Sequence, residues 1–294
     1  MSTWLQIGLR VNPDQVEQTE EVLAELGAHS VTLLDAGDHP VHEPAPGETP
    51  LWPDIVVQGL FDGDTDLVEL SATLVEAGLV ADSAGLEIER LGDRDWTRAW
   101  MDRYQPLRFG QSLWICPSHI EPDPDWPIVI RLDPGLAFGS GTHPTTALCL
   151  EWIDQHVLTG QRVVDFGCGS GILAIACALK GAREVVAVDH DPQALTATED
   201  NATRNHVADR IECLLPDQFE TKPADLVLAN ILAGPLIELA PRLAECVKPA
   251  GHLVLSGILR EQAPSVAAAY RSSLGAEKIS RREDWIRLDF RRDS

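Results

Sequence analysis

A run of glycines in the second half of the chain has the residue types and spacing of a ligand-binding loop. Residues 163–171 read Val-Val-Asp-Phe-Gly-Cys-Gly-Ser-Gly, so an apolar run ends in an acid and glycines follow at every second position. Residues 172–180 have a helical composition, and Asp189 ends the apolar run 184–188. A strand, a glycine turn and a helix start bring bare backbone to a ligand. A carboxylate about 20 residues further on binds ribose hydroxyls in nucleotide-binding α/β folds.

Two classes of nucleotide ligand fit this loop. Gly169, Gly171 and Ala174 match a loose G-x-G-x-x-A dinucleotide pattern, which is weak evidence on its own. The spacing of Asp165 and Gly167 with the two later glycines more closely resembles the first motif of S-adenosylmethionine-dependent methyltransferases. There the acid orients the loop and the methionine end of the cofactor, whereas in a dinucleotide turn it would face a pyrophosphate. A nicotinamide-dependent oxidoreductase would also need a pair of hydride-handling residues, and we find none in the sequence.

The length and charge of the chain limit its partners. The 294 residues, 44% of them hydrophobic, are enough for two domains with cores of their own. The net charge is −23, and residues 1–92 hold 18 acidic side chains against two basic ones, Arg10 and Arg90. Such a surface repels phosphate backbones and attracts a basic protein, so we expect no direct DNA binding. An acid-rich composition that suits a salty cytoplasm explains the same charge equally well.

The six cysteines form no C-x-x-C pair, and most lie in apolar runs. We therefore expect reduced thiols, with neither a disulfide framework nor a metal site. The first seven residues lack the basic and apolar regions of a signal peptide, and no apolar run approaches the ~20 residues of a membrane span. We expect a cytoplasmic protein that does not associate with a membrane, and a monomer.

The first third of the chain has the periodicity of a small α+β domain. The order of its apolar patterns, β-α-β-β-α-β, predicts a ferredoxin-like fold for residues 1–92. The predicted strands are 4–11, 31–34, 55–61 and 86–91, and the predicted helices are 13–26 and 65–77. A helical linker should follow at 93–106, where Trp96 and Trp100 share a face.

Alternating strands and helices in residues 107–294 predict a parallel, doubly wound sheet that ends in an antiparallel hairpin. Residues 113–115 and 128–130 should pair as a hairpin before it. The predicted strands of the sheet are 163–166, 184–188, 210–215, 224–229, 252–256 and two within 277–292, and the predicted helices are 147–156, 172–180, 192–205, 235–247 and 261–273.

Two further segments have the composition of a binding site. Residues 132–146 combine glycines and prolines with a Thr-His-Pro-Thr-Thr cluster just before a predicted helix, where backbone can close over a ligand and hydroxyls can bind a carboxylate. His143 in this cluster is either a proton acceptor or a structural histidine before a proline. Asn230 ends a predicted strand at the carboxyl edge of the sheet, where such sheets bind ligands.

Three segments in this order, 133–146, 165–171 and 230–236, resemble the methyltransferases of large-subunit ribosomal protein L11, the PrmA family. The resemblance extends over the whole chain, with Ser140 where a threonine is expected, a change that keeps the hydroxyl. It implies a seven-stranded class I methyltransferase sheet behind an N-terminal ferredoxin-like domain that recognises the substrate. It also implies transfer of methyl groups from S-adenosylmethionine to lysine side chains and the N-terminal α-amine of L11, free or on the ribosome.

The same resemblance gives a set of site residues. Asp189 should bind the ribose hydroxyls, Gly167 and Gly169 should let the backbone approach the cofactor, and Asp165 should orient the loop. The cofactor-binding residues that we predict are Thr145, Thr146, Asp165, Gly167, Gly169, Asp189 and Asn230. We predict Asn230 as the catalytic residue.

The residues after Asn230 bear on the substrate. Methyltransferases of base or glutamine amide nitrogens carry Asn/Asp-Pro-Pro-aromatic here, whereas this chain has Asn-Ile-Leu-Ala. An aliphatic amine suits this sequence better, because apolar Ile231 and Leu232 would help to lower a lysine pKa from about 10.4. Another protein or a small amine stays open as the substrate, and a non-catalytic module that binds the cofactor or the ribosomal protein stays open as a second class.

Overall fold

The computed structural model describes residues 4–37, 51–92, 104–133 and 141–294. The chain divides into two compact units, Met1–Trp100 and Met101–Ser294. Most of the predicted helical linker 93–106, and residues 134–140 of the glycine-rich segment 132–146, lie outside the described residues. Within the described ranges, no helix is long and apolar enough to cross a membrane.

The first unit has the ferredoxin-like arrangement predicted from its sequence. Its elements are β1 (Trp4–Val11), α1 (Val16–Glu25), β2 (Ser30–Asp35), β3 (Ile55–Asp62), α2 (Leu67–Glu76) and β4 (Leu86–Leu91). The strands form an antiparallel sheet in the order β2-β3-β1-β4. Leu5, Ile7 and Leu9 of β1 are buried against the helices, because alternate residues of a strand share a face.

The other face of this sheet carries a groove. A cavity of about 400 Å³ is lined there by Trp4, Gln6, Ser30, Thr32, Gln58, Leu60 and Leu91. Glu87 and Glu89 pair with Gly8 and Gln6 across β1 and β4, so their side chains lie on the same face as the groove. We call this surface the open sheet face. It combines apolar, amide and hydroxyl groups with acidic side chains at its edge.

The second unit begins with β5 (Leu107–Phe109), β6 (Leu113–Cys116) and β7 (Ile128–Arg131), which form a sheet of three strands. The predicted hairpin between residues 113–115 and 128–130 is wrong, because β6 and β7 run parallel and β5 is the antiparallel partner of β6. The tight turn after β5 reverses the chain, with Gly110 at a φ of 61°. The longer connection 117–127 instead crosses over and returns in the same direction, as a parallel pair requires.

The rest of the second unit is the doubly wound sheet. Its elements are α3 (Pro144–Gln155), β8 (Arg162–Phe166), α4 (Ile172–Leu179), β9 (Glu184–Val188), α5 (Pro192–Arg204), β10 (Ile211–Leu214), β11 (Ala224–Asn230), α6 (Ala233–Glu238), α7 (Ala240–Cys246), β12 (Val247–Leu259), α8 (Ala263–Tyr270), β13 (Gly275–Arg282) and β14 (Trp285–Arg291). The strand order is β10-β9-β8-β11-β12-β14-β13, and β14 is antiparallel to both of its neighbours. This confirms the predicted seven-stranded sheet with its final antiparallel hairpin.

Several helix boundaries shift by a few residues from the prediction, and α3 begins at Pro144 and not at Ala147, but two elements differ more. The helix predicted for 235–247 is two short helices that meet at Leu239, because Pro241 near the start of α7 has no N–H to continue the hydrogen bonding of α6. The strand predicted for 252–256 extends to Val247–Leu259 as β12. Neither difference moves the carboxyl ends of β8, β9 and β11.

Each face of the sheet packs against a separate hydrophobic core. Val163 and Val185 face the core that includes α3, α4 and α5, while Val164 and Val186 face the core of α6, α7 and α8. Burial on both faces explains why these strands are continuous apolar runs. β8 is the point at which the strand order reverses, because β9 is its neighbour on one side and β11 is its neighbour on the other. The carboxyl ends of these strands therefore flank a crevice, where ligands bind in doubly wound folds.

Candidate active site

The glycine loop between β8 and α4 lies at this crevice. Gly167 donates its N–H to the carbonyl of Val188 over 2.7 Å, so the loop is fixed to the end of β9. Its φ of 80° is in the left-handed region, and a Cβ on it would overlap the side chain of Ile231. Gly167 and Gly169 are partly exposed, whereas Cys168 between them is buried. The loop therefore presents bare main chain to the crevice, as its sequence predicts.

Asp189 follows β9 and faces this loop. Its Oδ2 accepts from the Gly169 N–H over 2.9 Å and its Oδ1 from the Asp191 N–H over 3.0 Å. The residue is 8% exposed. A carboxylate accepts about four hydrogen bonds, so both oxygens retain capacity for further donors such as hydroxyls. The structure brings Asp189 and the glycine loop together, as their spacing of about 20 residues predicts.

Asp165, at the end of β8, is fully buried. Its Oδ2 accepts from the Ala174 N–H over 3.0 Å in the first turn of α4, so the side chain joins the loop to the helix start. Its Oδ1 is buried and has no hydrogen-bond partner. Burial raises the pKa of this carboxyl to about 7, against the opposing effect of the Ala174 hydrogen bond, and the charge of Asp189 adds to the rise. A buried acceptor without a donor is costly, so this oxygen favours a ligand that donates to it.

His143 caps the start of α3. Its Nδ1 accepts from the Thr145 N–H over 3.3 Å and lies 2.7 Å from Thr145 Oγ1. These contacts assign the ring proton of the neutral form to Nε2. Burial lowers the pKa of His143, although the charge of Glu283 opposes this. Of the two roles that the sequence left open, this geometry supports the structural one.

The two threonines at the start of α3 are both buried but have different partners. The hydroxyl of Thr145 contacts His143, and its carbonyl accepts from Ser256 Oγ over 3.2 Å. The hydroxyl of Thr146 instead accepts from Asn230 Nδ2 over 3.4 Å. The structure therefore joins Thr146 to the end of β11 and leaves Thr145 within the helix cap.

Asn230 lies at the carboxyl end of β11, beside Ser256 of β12 in the register of the sheet. Its Oδ1 is buried without a partner, like Oδ1 of Asp165. Ile231 follows and contacts the glycine loop, and the side chain of Leu232 is 51% exposed. An unpartnered carbonyl oxygen next to apolar side chains is suited to accept an N–H from a ligand in the crevice.

Helix α5 contributes two residues that the sequence analysis missed. Thr198 donates to the carbonyl of Gly169 over 3.1 Å, and Asn201 donates to the carbonyl of Ser170 over 2.9 Å. Both bonds fix the glycine loop to α5. Thr198 and Asn201 are spaced i and i+3 on one face of a predicted helix, and this spacing could have marked them as a pair with a shared role. Ser256, a polar residue within an apolar strand, could likewise have been recognised as a residue with a specific partner.

The polar groups of the crevice are mainly hydrogen-bond acceptors. The two unpartnered oxygens of Asp165 and Asn230 and the acceptors of Asp189 favour a ligand with N–H and O–H donors. Across the described ranges, no three side chains of the metal-binding types His, Cys, Asp and Glu form a cluster. The bare glycine backbone allows such a ligand to approach the main chain closely.

Comparison with known proteins identifies the family. A family model described as ribosomal protein L11 methyltransferase (PrmA) matches residues 3–293. The ribosomal protein L11 methyltransferase of Haemophilus ducreyi is 50% identical over 286 residues, which cover 97% of this chain and 98% of that protein. That of Serratia proteamaculans is 52% identical over 287 residues, which again cover 97% and 98%.

A solved structure agrees with these relatives. The structure of ribosomal protein L11 methylase from Lactobacillus delbrueckii subsp. bulgaricus is 33% identical, with a TM-score of 0.59, and the match covers 65% of this chain and all of that one. The match to the family model spans nearly the whole sequence and confirms the resemblance found in the three sequence motifs. The chain therefore belongs to the ribosomal protein L11 methyltransferase (PrmA) family.

Proposed function

We propose that this chain transfers methyl groups from S-adenosylmethionine to amines of ribosomal protein L11. The observation that carries this proposal is the pair of buried, unpartnered oxygens, Oδ1 of Asp165 near the end of β8 and Oδ1 of Asn230 at the end of β11. The names of the relatives supply the protein substrate. The choice of an amine rests on the residues that follow Asn230.

The proposed cofactor site uses groups that the structure brings together. Asp189 holds the ribose hydroxyls, the main chain at Gly167 and Gly169 lies against the cofactor, and Asp165 and Thr146 hold the methionine part. When bound, S-adenosylmethionine supplies a methyl group on a positively charged sulfur, which an amine with a free lone pair can take. The chain's own task is to hold the two reactants close and aligned, which alone contributes several orders of magnitude in rate.

The proposed amine site lies at Asn230. Its unpartnered Oδ1 accepts an N–H of the incoming amine and so orients the nitrogen lone pair. Ile231 and the half-exposed Leu232 reduce the hydration of the amine, which lowers its pKa and favours the neutral, nucleophilic form. We propose both lysine side chains and the N-terminal α-amine as acceptors.

Residues 1–92 form the proposed substrate-recognition domain, 93–106 the linker and 107–294 the methyltransferase domain. The open sheet face supports recognition of a basic partner, because its groove is bordered by Glu87 and Glu89 in a domain with 18 acidic and two basic residues. We propose that the protein acts in the cytoplasm, on L11 that is free or on the ribosome.

The test is incubation of the purified chain with isotopically labelled S-adenosylmethionine and L11, followed by mass spectrometry of L11. We expect labelled methyl groups on lysines and on the N-terminal amine, and much less label with Asn230→Ala. Label on another residue type would overturn the choice of an amine. Binding of the cofactor without any transfer would leave a non-catalytic binding module.

A further inference from the structure

The segment Leu215–Phe219, which we call the β10 loop, follows β10 at the carboxyl edge of the sheet. It begins beside the proposed ribose site, since the Asp189 N–H donates to the carbonyl of Leu214 over 3.3 Å. Leu215 and Pro216 are half-buried, and the Leu215 carbonyl accepts from the N–H groups of Gln218 and Phe219 at 3.0 and 3.1 Å. The β10 loop is thus a hydrogen-bonded turn with a partly exposed apolar surface.

Arg242 of α7 holds this turn from the side of the second core. Its Nη2 donates to the carbonyl of Pro216 over 2.8 Å and to the carbonyl of Phe219 over 2.9 Å. The guanidinium also lies over two aromatic rings, 5.2 Å from the centre of Phe219 and 5.8 Å from that of Phe166. Phe166 immediately precedes Gly167, so one side chain contacts both the β10 loop and the strand that leads into the glycine loop.

The order of the strands gives the β10 loop a place in the cofactor site. Thr146 of α3, a proposed methionine contact, is hydrogen-bonded to Asn230 at the end of β11, and the proposed ribose contact, Asp189, follows the end of β9. The sheet order β11-β8-β9-β10 places the end of β10 next on the same side. A nucleoside that extends from β11 past β9 therefore brings its base to the β10 loop.

We propose that Arg242 is a positioning residue for the nucleoside base, because it fixes the β10 loop as the wall against which the base packs. This inference rests on the proposed function and concerns the base end of the same site. Arginine suits this role because its planar guanidinium group can donate hydrogen bonds in fixed directions and stack on aromatic rings at the same time. Lysine keeps the charge but replaces the planar fork with a single ammonium group.

The experiment compares Arg242→Met and Arg242→Lys with the wild-type chain by calorimetric binding of two ligands. S-adenosylhomocysteine carries the base, the ribose and an amino acid, whereas 5′-methylthioadenosine carries only the base and the ribose. If Arg242 acts at the base end, Arg242→Met should raise both dissociation constants equally, by about tenfold, and Arg242→Lys should raise them less. Amide hydrogen exchange of Gln218 and Phe219 should become faster in Arg242→Met.

Arg292→Met is the matched control. Arg292 is also half-buried and donates to two carbonyls, those of Ala244 and Val247 at 3.3 and 2.7 Å, but at the other end of α7. Its loss should lower the unfolding temperature as Arg242→Met does, while both dissociation constants stay within about twofold of wild type.

Three results would overturn the inference. In the first, the β10 loop exchanges faster in Arg242→Met but both ligands bind as in wild type. In the second, only S-adenosylhomocysteine binds more weakly, which would place the effect at the amino-acid end. In the third, Arg292→Met weakens binding equally, which would reduce Arg242 to a general structural role. If the wild-type chain binds neither ligand, the proposed function itself fails, and the inference fails with it.

Discussion

The amide of Asn230 donates to the hydroxyl of Thr146 over 3.4 Å, and this bond joins the end of β11 to the first turn of α3. The two residues are 84 positions apart in the chain. Asn230 keeps its Oδ1 buried and unpartnered, while the Thr146 hydroxyl still has a proton to donate. The pair therefore combines an unused acceptor on Asn230, proposed for the incoming amine, with an unused donor on Thr146, proposed for the methionine part of the cofactor.

The two threonines of α3 should differ in binding. Thr146→Val removes the hydroxyl proposed to hold the methionine part, so we expect the dissociation constant of S-adenosylhomocysteine to rise about tenfold. That of 5′-methylthioadenosine should change less than about twofold. Thr145→Val removes only a contact within the helix cap and should cost about 1 kcal/mol of stability with little change in either constant. Calorimetry and urea unfolding measure both effects, and equal losses of affinity would contradict the distinction.

Asp189→Ala should weaken cofactor binding by about 1–3 kcal/mol, because it removes the proposed ribose acceptor and the bond to the Gly169 N–H. Asp191→Asn is the control, since it removes a negative charge two residues away while asparagine can still cap α5 as Asp191 does. Titration with S-adenosylhomocysteine gives the dissociation constants. An unchanged constant in Asp189→Ala would remove this residue from the site.

Gly167→Ala should lower the free energy of unfolding more than a typical substitution of a glycine with positive φ. Gly160→Ala is the matched comparison, because Gly160 has a φ of 74° but has open space where a Cβ would be. That change should cost about 1–2 kcal/mol from backbone strain alone. At Gly167 the Cβ would also overlap Ile231, so we expect a larger loss of stability and no measurable cofactor binding. Equal losses of stability in urea unfolding would show that the loop yields to the added methyl group.

The buried Asp165 predicts a specific pH dependence of stability. Its pKa is raised from 3.8 to about 7, so the folded chain keeps a proton at pH values where the unfolded chain has released it. The free energy of unfolding therefore falls as the pH rises through this window and levels off above about pH 7. Asp165→Asn has no such proton, so its stability relative to wild type should increase from about pH 5 to about pH 8.

Asp225→Asn provides the control for this measurement. Burial acts to raise the pKa of Asp225, but hydrogen bonds from Lys248 and Arg162 outweigh it and hold the pKa below its ordinary value. This group stays ionised in both states above about pH 5, so its contribution is constant there and is lost only in acid. Urea unfolding across the pH series should give a flat difference for Asp225→Asn. A flat difference for Asp165→Asn as well would contradict the raised pKa.

The open sheet face predicts a selective effect on the protein substrate. Gln58→Lys places a positive charge in the groove and should repel a basic partner, so kcat/KM for L11 should fall several-fold while the dissociation constant of the cofactor stays unchanged. Gln18→Lys makes the same substitution on the exposed side of α1, on the helix layer of the domain, and should have little effect. Methylation assays over a range of L11 concentrations provide the comparison. Equal effects of the two variants would assign the change to net charge.

The sequence alone determined the strands and helices around the glycine loop, because their apolar periodicity and their turn residues agree. Residues 163–189 predict a strand, a turn, a helix and a second strand that ends in an acid, and the structure has each of them. Only glycine fits at position 167, because the backbone there has a positive φ and a Cβ would overlap Ile231. A glycine at this position in the sequence therefore indicates the turn. The local sequence was therefore sufficient to predict the secondary structure of this segment.

Only the tertiary structure decided which hydroxyl and which amide meet. Thr145 and Thr146 are adjacent and chemically alike, and their different partners follow from the direction in which α3 leaves the cap at His143. The parallel pairing of β6 and β7 and the contact of Arg242 with the β10 loop likewise join segments whose distance in the sequence carries no signal. Such contacts depend on how elements pack around the shared sheet, and the pattern within any one element does not specify them.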